Sequence, residues 1–420
     1  MNNTRQKTAR LAATKLATAI ALCAVGAEKV VSNEIKKLGE KNSFIIEESS
    51  YGKVRFKTDT EGLYKALIGL RAADRVLLEI ANFKAVDFDA LFEGTSAAQW
   101  EEFVPKGMGL VVSKVRTNRS QLKAETSIQA IVHKAAAQRL CIKYNEDRLP
   151  EQKPIARGST ESPVKIAEVR VYIEKDTVSL LVDLSGEPMF KRGYRSEGGA
   201  APLRETTAAA LLLLSGWKRK FPLYDPFCGS GTFLIEALSY AWDMAPGLGR
   251  RFAIDNLLIA DAKIDKAVRE ELRSKIDYNR LIRIAASDEE ARSVSIALSN
   301  AARLRDIAED RPPQRGIRSA VGAAADISLK TLPMKEACAP VQDTGLIITN
   351  PPYGKRLGDP AIAEQTYKEM AGLAERFPGW KLAVITDHSG FESFFGKKAD
   401  SCREISNGNT PSFFYQYEVL

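Results

Sequence analysis

Histidine is nearly absent from this chain: His133 and His388 are the only two in 420 residues. Cysteine is scarce and dispersed, at Cys23, Cys141, Cys228, Cys338 and Cys402, with no Cys-x-x-Cys pair. Together these shortages argue against a structural zinc site, and no metal is expected. The odd, scattered set also argues against a disulfide framework and for a reducing cytoplasm. Internal repeats and low-complexity tracts are missing too. Excess charge of one sign is slight: Lys plus Arg number 61 against 53 for Asp plus Glu, a net +8 with a pI near 9.0. That balance permits a polyanionic partner without demanding one.

What is present is the mix of a soluble globular protein, 45% hydrophobic and 27% charged. The length calls for two or three domains. Arg5, Lys7, Arg10 and Lys15 precede an apolar stretch from Leu16 to Gly26. This stretch is too short to span a membrane, and no membrane partner is expected. Two readings of the N-terminus stay open, a cleaved presequence or a basic tail over 1–19 leading into a first strand at 20–25. The second is preferred, because Leu22 before Cys23 is too large for a lipoprotein-type cleavage site.

Downstream, short strands alternate with short helices. A helix at 26–39, strands at 43–48 and 52–57, a helix at 60–71 and a strand at 75–81 suggest one compact α+β module over 20–85. A second module over 86–186 has a strand at 109–116, a helix at 127–140 and a hairpin at 164–185 turning at Lys175-Asp176. Lys114, Arg116, Arg119 and Lys123 follow one another between its strand and its helix. Such a group can hold phosphates, although a solvated basic loop is the blander reading. From 187 to 420 the pattern becomes apolar runs alternating with helices. That implies a doubly wound α/β sheet with strands near 223–224, 281–286, 319–323, 346–349 and 381–386. A closing pair at 402–406 and 413–419, turning at Asn407-Gly408, makes the last strand antiparallel.

Two segments of this last region carry chemistry. In Asp225-Pro226-Phe227-Cys228-Gly229-Ser230-Gly231-Thr232, glycines where a strand meets a helix let a ligand approach the backbone. No Lys follows the last glycine, so it is not a Walker loop, and it is not Gly-x-Gly-x-x-Gly either. Asp225 would repel a pyrophosphate but suits a ligand bearing an ammonium group, such as the methionine part of S-adenosylmethionine. Asp288, ending the next strand, can accept both hydroxyls of a ribose or simply cap the helix that follows. Asp326, after the third strand, can accept from an adenine amine. The second segment, Asn350-Pro351-Pro352-Tyr353, offers an amide oxygen and a carbonyl to the hydrogens of an exocyclic base amine. Two such acceptors free the amine lone pair otherwise delocalised into the ring. Proline stiffens the turn, and Tyr353 can stack on the base.

On these residues the C-terminal half resembles the class I S-adenosylmethionine-dependent methyltransferases that carry Asn/Asp-Pro-Pro-Tyr and methylate amines. With Lys191-Arg-Gly-Tyr-Arg195, Ala201-Pro-Leu-Arg-Glu205, Ala245-Pro-Gly-Leu248 and Asn350-Pro-Pro-Tyr-Gly-Lys-Arg356, the whole chain resembles the THUMP-domain RNA methyltransferases. Among them it is most similar to the bacterial enzymes acting on guanine N2 of large-subunit ribosomal RNA. The resemblance implies a ferredoxin-like module, then an RNA-binding THUMP module, then a Rossmann-like methyltransferase domain. It implies cofactor contacts at Asp225, Pro226, Phe227, Gly229, Gly231, Thr232, Asp288, Asp326 and Asn350, and catalysis at Asn350, Pro351, Pro352 and Tyr353. It also implies RNA contacts at Lys114, Arg116, Arg119, Lys123, Arg192, Arg195, Lys355 and Arg356. Two features depart from the pattern. Ala286-Ser287 stands where the family usually has Gly-Ser, and the second fused methyltransferase of some relatives is not expected. The stretch around 246–275 is a family insertion expected near the RNA. Two further readings remain: an adenine-N6 DNA methylase, which uses the same four-residue motif, and a non-catalytic RNA-binding assembly factor.

Overall fold

A computed structural model describes residues 16–39, 43–151, 164–195, 203–309, 325–340, 344–352, 360–407 and 410–420. The N-terminal half is built from β1 (Ala17–Cys23), α1 (Glu28–Leu38), β2 (Ile45–Ser50), β3 (Lys53–Thr58), α2 (Thr60–Gly69) and β4 (Ala73–Lys84). There follow α3 (Phe88–Ala97), β5 (Gly109–Asn118), α4 (Glu125–Tyr144), β6 (Ile166–Glu174) and β7 (Thr177–Asp183). Period-two patterning sets the faces: in β3, Val54, Phe56 and Thr58 are buried while Lys53, Arg55 and Lys57 point outward.

All seven strands form one sheet in the order β2-β3-β1-β4-β7-β6-β5. β4 pairs antiparallel with β1 along one edge and with β7 along the other. The two modules separated at 85/86 in the sequence therefore share a backbone hydrogen-bond ladder. Twelve residues of β4 are long enough to serve both neighbours.

The C-terminal half contains α5 (Glu205–Leu214), β8 (Leu223–Asp225), α6 (Thr232–Ala241), α7 (Ala262–Ser274), β9 (Ile282–Asp288) and α8 (Ala291–Ala308). It continues with β10 (Ala325–Thr331), β11 (Leu346–Thr349), α9 (Pro360–Met370), α10 (Leu373–Arg376), β12 (Lys381–Thr386), α11 (Phe391–Phe395), β13 (Ser401–Asn407) and β14 (Thr410–Tyr417). The sheet order is β10-β9-β8-β11-β12-β14-β13. Its first five strands are parallel, and β14 runs antiparallel to β12 and β13. β8 and β11 are fully buried, as expected for strands covered on both faces. The chain winds outward from β8 through β9 to β10, then returns to β11 and winds the other way. That reversal opens a crevice beyond the C-terminal ends of β8 and β11, where such sheets bind ligands.

The third strand differs from expectation. The stretch near 319–323 lies outside the described residues, and the strand itself is Ala325–Thr331. Asp326 thus begins the strand instead of following it. It pairs with Arg283, whereas Thr331 pairs with Asp288 at the ligand edge. Five residues of extended chain, about 17 Å, separate Asp326 from that edge, so it is not placed to meet a base bound there.

The halves meet through backbone and buried charge. Gly247 N donates to Ile68 O at 2.8 Å. A Cβ on Gly247 would stand 2.7 Å from Ile68 Cα, so only glycine permits this contact. The buried Arg71 guanidinium donates to Ser239 Oγ at 2.9 Å and to Met244 O, while Glu34 accepts from Arg71 N and Ala72 N, each at 3.0 Å.

Candidate active site

Asp225 closes β8 and is almost fully buried. Its Oδ1 accepts from Phe227 N at 3.1 Å, which sets the first bend of the glycine turn. The same oxygen accepts from Thr349 Oγ1 at 2.7 Å, so the last residue of β11 is tied to the last residue of β8. Burial pushes the Asp225 carboxyl up to about 7, against the lowering effect of those two hydrogen bonds, and nearby Asp288 adds to the rise. A cation brought to this carboxylate would be strongly held.

Gly229 and Gly231 both have positive φ, +51° and +82°. A side chain at Gly229 would meet nothing within 4 Å, so its surroundings are open and the backbone conformation is what calls for glycine. Gly231 instead packs on α8, where a Cβ would lie 2.9 Å from that of Ala297. Asp288 ends β9, as expected, and works twice: Oδ2 accepts from Gly229 N at 2.9 Å and Oδ1 from Glu290 N at 3.0 Å. The bond to Glu290 closes a turn just ahead of α8, which starts at Ala291, and the bond to Gly229 ties the same carboxylate to the glycine turn. Each carboxylate oxygen keeps a second lone pair for a hydroxyl donor.

β11 delivers Asn350 to the same edge. Its neighbour Thr349 is fully buried, and Pro351 is buried beyond it. Asn350 Oδ1 is buried and has no hydrogen-bond partner among the described residues. An orphaned acceptor of this kind costs about 1–3 kcal/mol, which a bound donor would relieve. Tyr353, Lys355 and Arg356 lie outside the described residues.

Two expected RNA contacts are otherwise engaged. Arg192 is buried and forms an ion pair with buried Glu236 (Nε to Oε1, 3.4 Å), besides donating to Met189 O and Arg71 O. It is an internal strut between the halves. Arg195 spreads its guanidinium over Glu205 Oε1 (2.9 Å), Thr232 Oγ1 (3.0 Å), Leu203 O (3.2 Å) and Ser230 Oγ (3.3 Å). It fastens the start of α5 to the glycine turn and has little surface left for RNA. Lys114, Arg116, Arg119 and Lys123 are exposed, on edge strand β5 of the N-terminal sheet and the loop after it. Three contributors escaped the sequence reading: Thr349, Ser230 and Asn300, whose Nδ2 donates to Ser230 O at 3.1 Å. Only Thr349 left a signal, a lone hydroxyl between an apolar run and Asn350.

Comparison with known proteins bears on the family and the fold. The RMKL-like methyltransferase domain family matches residues 192–311 and 316–415, and the RlmL ferredoxin-like domain family matches 18–77. The YpsC protein of Bacillus subtilis (strain 168), named as an RNA methyltransferase, is 34% identical over 401 residues, 95% of each chain. Ribosomal RNA large subunit methyltransferase K/L of Marinomonas sp. (strain MWYL1) is 30% identical over 95% of this chain, which spans 52% of that longer protein. The crystal structure of the methyltransferase SMU.472, solved in complex with SAH, superposes with a TM-score of 0.78 at 31% identity, covering 97% of this chain and 99% of that one. The chain belongs to the RNA methyltransferases of the RlmK/L type.

Proposed function

We propose that this protein transfers a methyl group from S-adenosylmethionine to the exocyclic amine of a base in large-subunit ribosomal RNA, with guanine N2 as the acceptor. The observation that carries the reading is the buried Asn350 Oδ1, without a hydrogen-bond partner among the described residues, next to the Thr349–Asp225 link. No described residue takes up this amide acceptor, at the edge where the glycine turn would hold a methyl donor.

The residues fit the cofactor. Asp225, poised near neutrality by burial, suits the ammonium of the methionine moiety. Asp288 suits the ribose hydroxyls, and the open face at Gly229 leaves room for backbone approach. Bound there, S-adenosylmethionine supplies a methyl group activated by its sulfonium. The protein's part is positioning. The base is swung out of its stack, and Asn350 Oδ1 and Pro351 O accept its two amine hydrogens. The nitrogen lone pair is thereby freed and aimed, and holding it in line accounts for most of the acceleration. The amine proton leaves to solvent after the new N–C bond forms.

The 86–186 segment, with Lys114 and Arg116 on its exposed edge strand, serves as the THUMP RNA-binding module, and 187–420 as the methyltransferase domain. Among the described residues no helix is long and apolar enough to cross a membrane. A cytoplasmic site of action follows from the ribosomal substrate. To test the reading, purified protein is incubated with labelled S-adenosylmethionine and either unmodified rRNA or DNA, and nucleosides are resolved by mass spectrometry. N2-methylguanosine from RNA alone, abolished by Asn350→Ala, is expected. Label entering DNA as N6-methyl-2′-deoxyadenosine would favour the adenine reading instead. Full biological rescue by the Asn350→Ala variant would favour an assembly factor.

A further inference from the structure

A second polar pair stands at the same sheet edge as Asn350 and has no part in the chemistry above. β11 and β12 run parallel with Thr349 opposite Val384. Continuing that register sets Asn350 beside Ile385 and Pro351 beside Thr386, and His388 follows two residues on. α9 begins eight residues after Pro352 and brings Glu364 back to this edge within its first two turns. Glu364 Oε1 lies 3.8 Å from His388 Nε2, and both side chains are partly open to solvent, at 35% and 28% exposure.

The imidazole is held in one orientation. Its Nδ1 accepts from Gly390 N at 3.1 Å, which leaves the proton of the neutral ring on Nε2. Tyr367 and Phe394 pack against the ring nearly edge-on, with centroids at 5.7 and 5.5 Å. Tyr367 OH is in turn fixed against Thr386 Oγ1 at 2.9 Å. A fixed N–H donor thus sits beside a carboxylate acceptor just beyond the C-terminal end of β12, the strand paired with β11.

That donor and acceptor complement one base and not the other. Along its pairing edge guanine presents the N2 amine, then the N1–H donor, then the O6 acceptor. Adenine presents the N6 amine and a bare N1 lone pair. With the amine on Asn350 Oδ1, the next two groups of guanine need an acceptor and a donor in turn. We propose that Glu364 and His388 are the residues that select guanine, Glu364 accepting from N1–H and His388 Nε2–H donating to O6. Adenine in the same place would set its N1 lone pair against the Glu364 carboxylate, an unfavourable contact that discriminates by repulsion as well as by lost bonds. The inference rests on the amine-methyltransferase reading and adds the source of base choice to it.

The test uses the full-length protein, S-adenosylmethionine and an in-vitro transcript of large-subunit rRNA, with N2-methylguanosine and N6-methyladenosine counted by nucleoside mass spectrometry. Glu364→Ala and His388→Ala are expected to lower guanine methylation on the order of tenfold or more. They should narrow the guanine-to-adenine product ratio while leaving the KM for S-adenosylmethionine within about twofold. His388→Gln, which keeps a donor, should recover part of the ratio. A merely structural role would depress both products together and leave the ratio alone, and that result overturns the proposal. If the wild type makes N6-methyladenosine in place of N2-methylguanosine, the choice of base in the functional reading is at fault, and the pair's assignment falls with it. If the wild type makes N2-methylguanosine while the variants keep its ratio, only the pair is refuted.

Discussion

Thr349 donates its hydroxyl to Asp225 across the boundary between β11 and β8, at 2.7 Å and fully buried. This bond joins the strand that presents the acceptor amide to the strand that begins the glycine turn. It also acts on the carboxyl it touches. A hydrogen bond to an ionised carboxylate stabilises that form, so Thr349 restrains the upward push that burial exerts on Asp225.

Thr349→Val should therefore move the pH dependence of cofactor affinity. With Asp225 titrating near 7, a ligand ammonium binds best to the ionised form, and affinity falls as pH drops through 7. Well below that point the fall approaches about tenfold per pH unit. The valine variant loses one of the two hydrogen bonds that lower the carboxyl, so its inflection should lie at higher pH. Titration calorimetry with S-adenosylhomocysteine between pH 6 and 9 reads this directly. An inflection that stays put in the variant would mean Thr349 has no hold on the ionisation of Asp225.

Stability without the cofactor should run the opposite way. Asp225 has a folded-state value near 7, above the ordinary aspartate value of about 3.9 that it takes when unfolded. The folded protein therefore binds the extra proton between those two values. This contribution to stability is fully present below about pH 3.9 and is lost as pH rises through 7. Asp225→Asn removes the dependence. The unliganded variant should melt higher than wild type at pH 8 and lose that advantage toward pH 5, while its cofactor affinity falls at every pH. Melting curves across that range without ligand are the check.

Local chemistry explains what could be seen in the sequence. Asp225 to Thr232 and Asn350 to Pro352 follow short apolar strands with turn residues whose backbone demands are intrinsic, so the strands at 223–225 and 346–349 were legible to within a residue. The register of β10 was less legible, because the Ala-Val-Gly-Ala-Ala-Ala run before it has neither strand nor helix periodicity. That displaced Asp326 from the end of a strand to its beginning. The double pairing of β4 could not be read at all, since which edges a strand uses depends on partners about a hundred residues away. Arg192 and Arg195 show the same limit at the scale of a side chain. Both look like surface cations in a Gly-Tyr turn, and only the packing of α6 and α5 reveals that Glu236 and Glu205 await them.

Those two arginines, three residues apart, should fail differently. Arg192→Met leaves Glu236 buried at 1% exposure, with its Oε2 already lacking a partner among the described residues. Removing one member of such a pair costs about 3–5 kcal/mol, so the variant should melt well below wild type. Adding Glu236→Gln, which removes the stranded charge, should recover part of the loss. Arg195→Lys keeps a cation near Glu205 but cannot span four acceptors, so the glycine turn loses its ties at Ser230 and Thr232. Its melting temperature should change little, while KM for S-adenosylmethionine rises about tenfold and KM for RNA stays within about twofold, a loss of roughly 1.4 kcal/mol of cofactor binding. Parallel melting curves and initial-rate measurements on the two variants separate the roles. If Arg195→Lys raised the KM for RNA and left that for the cofactor alone, Arg195 would be an RNA contact and its bonds to the glycine turn incidental.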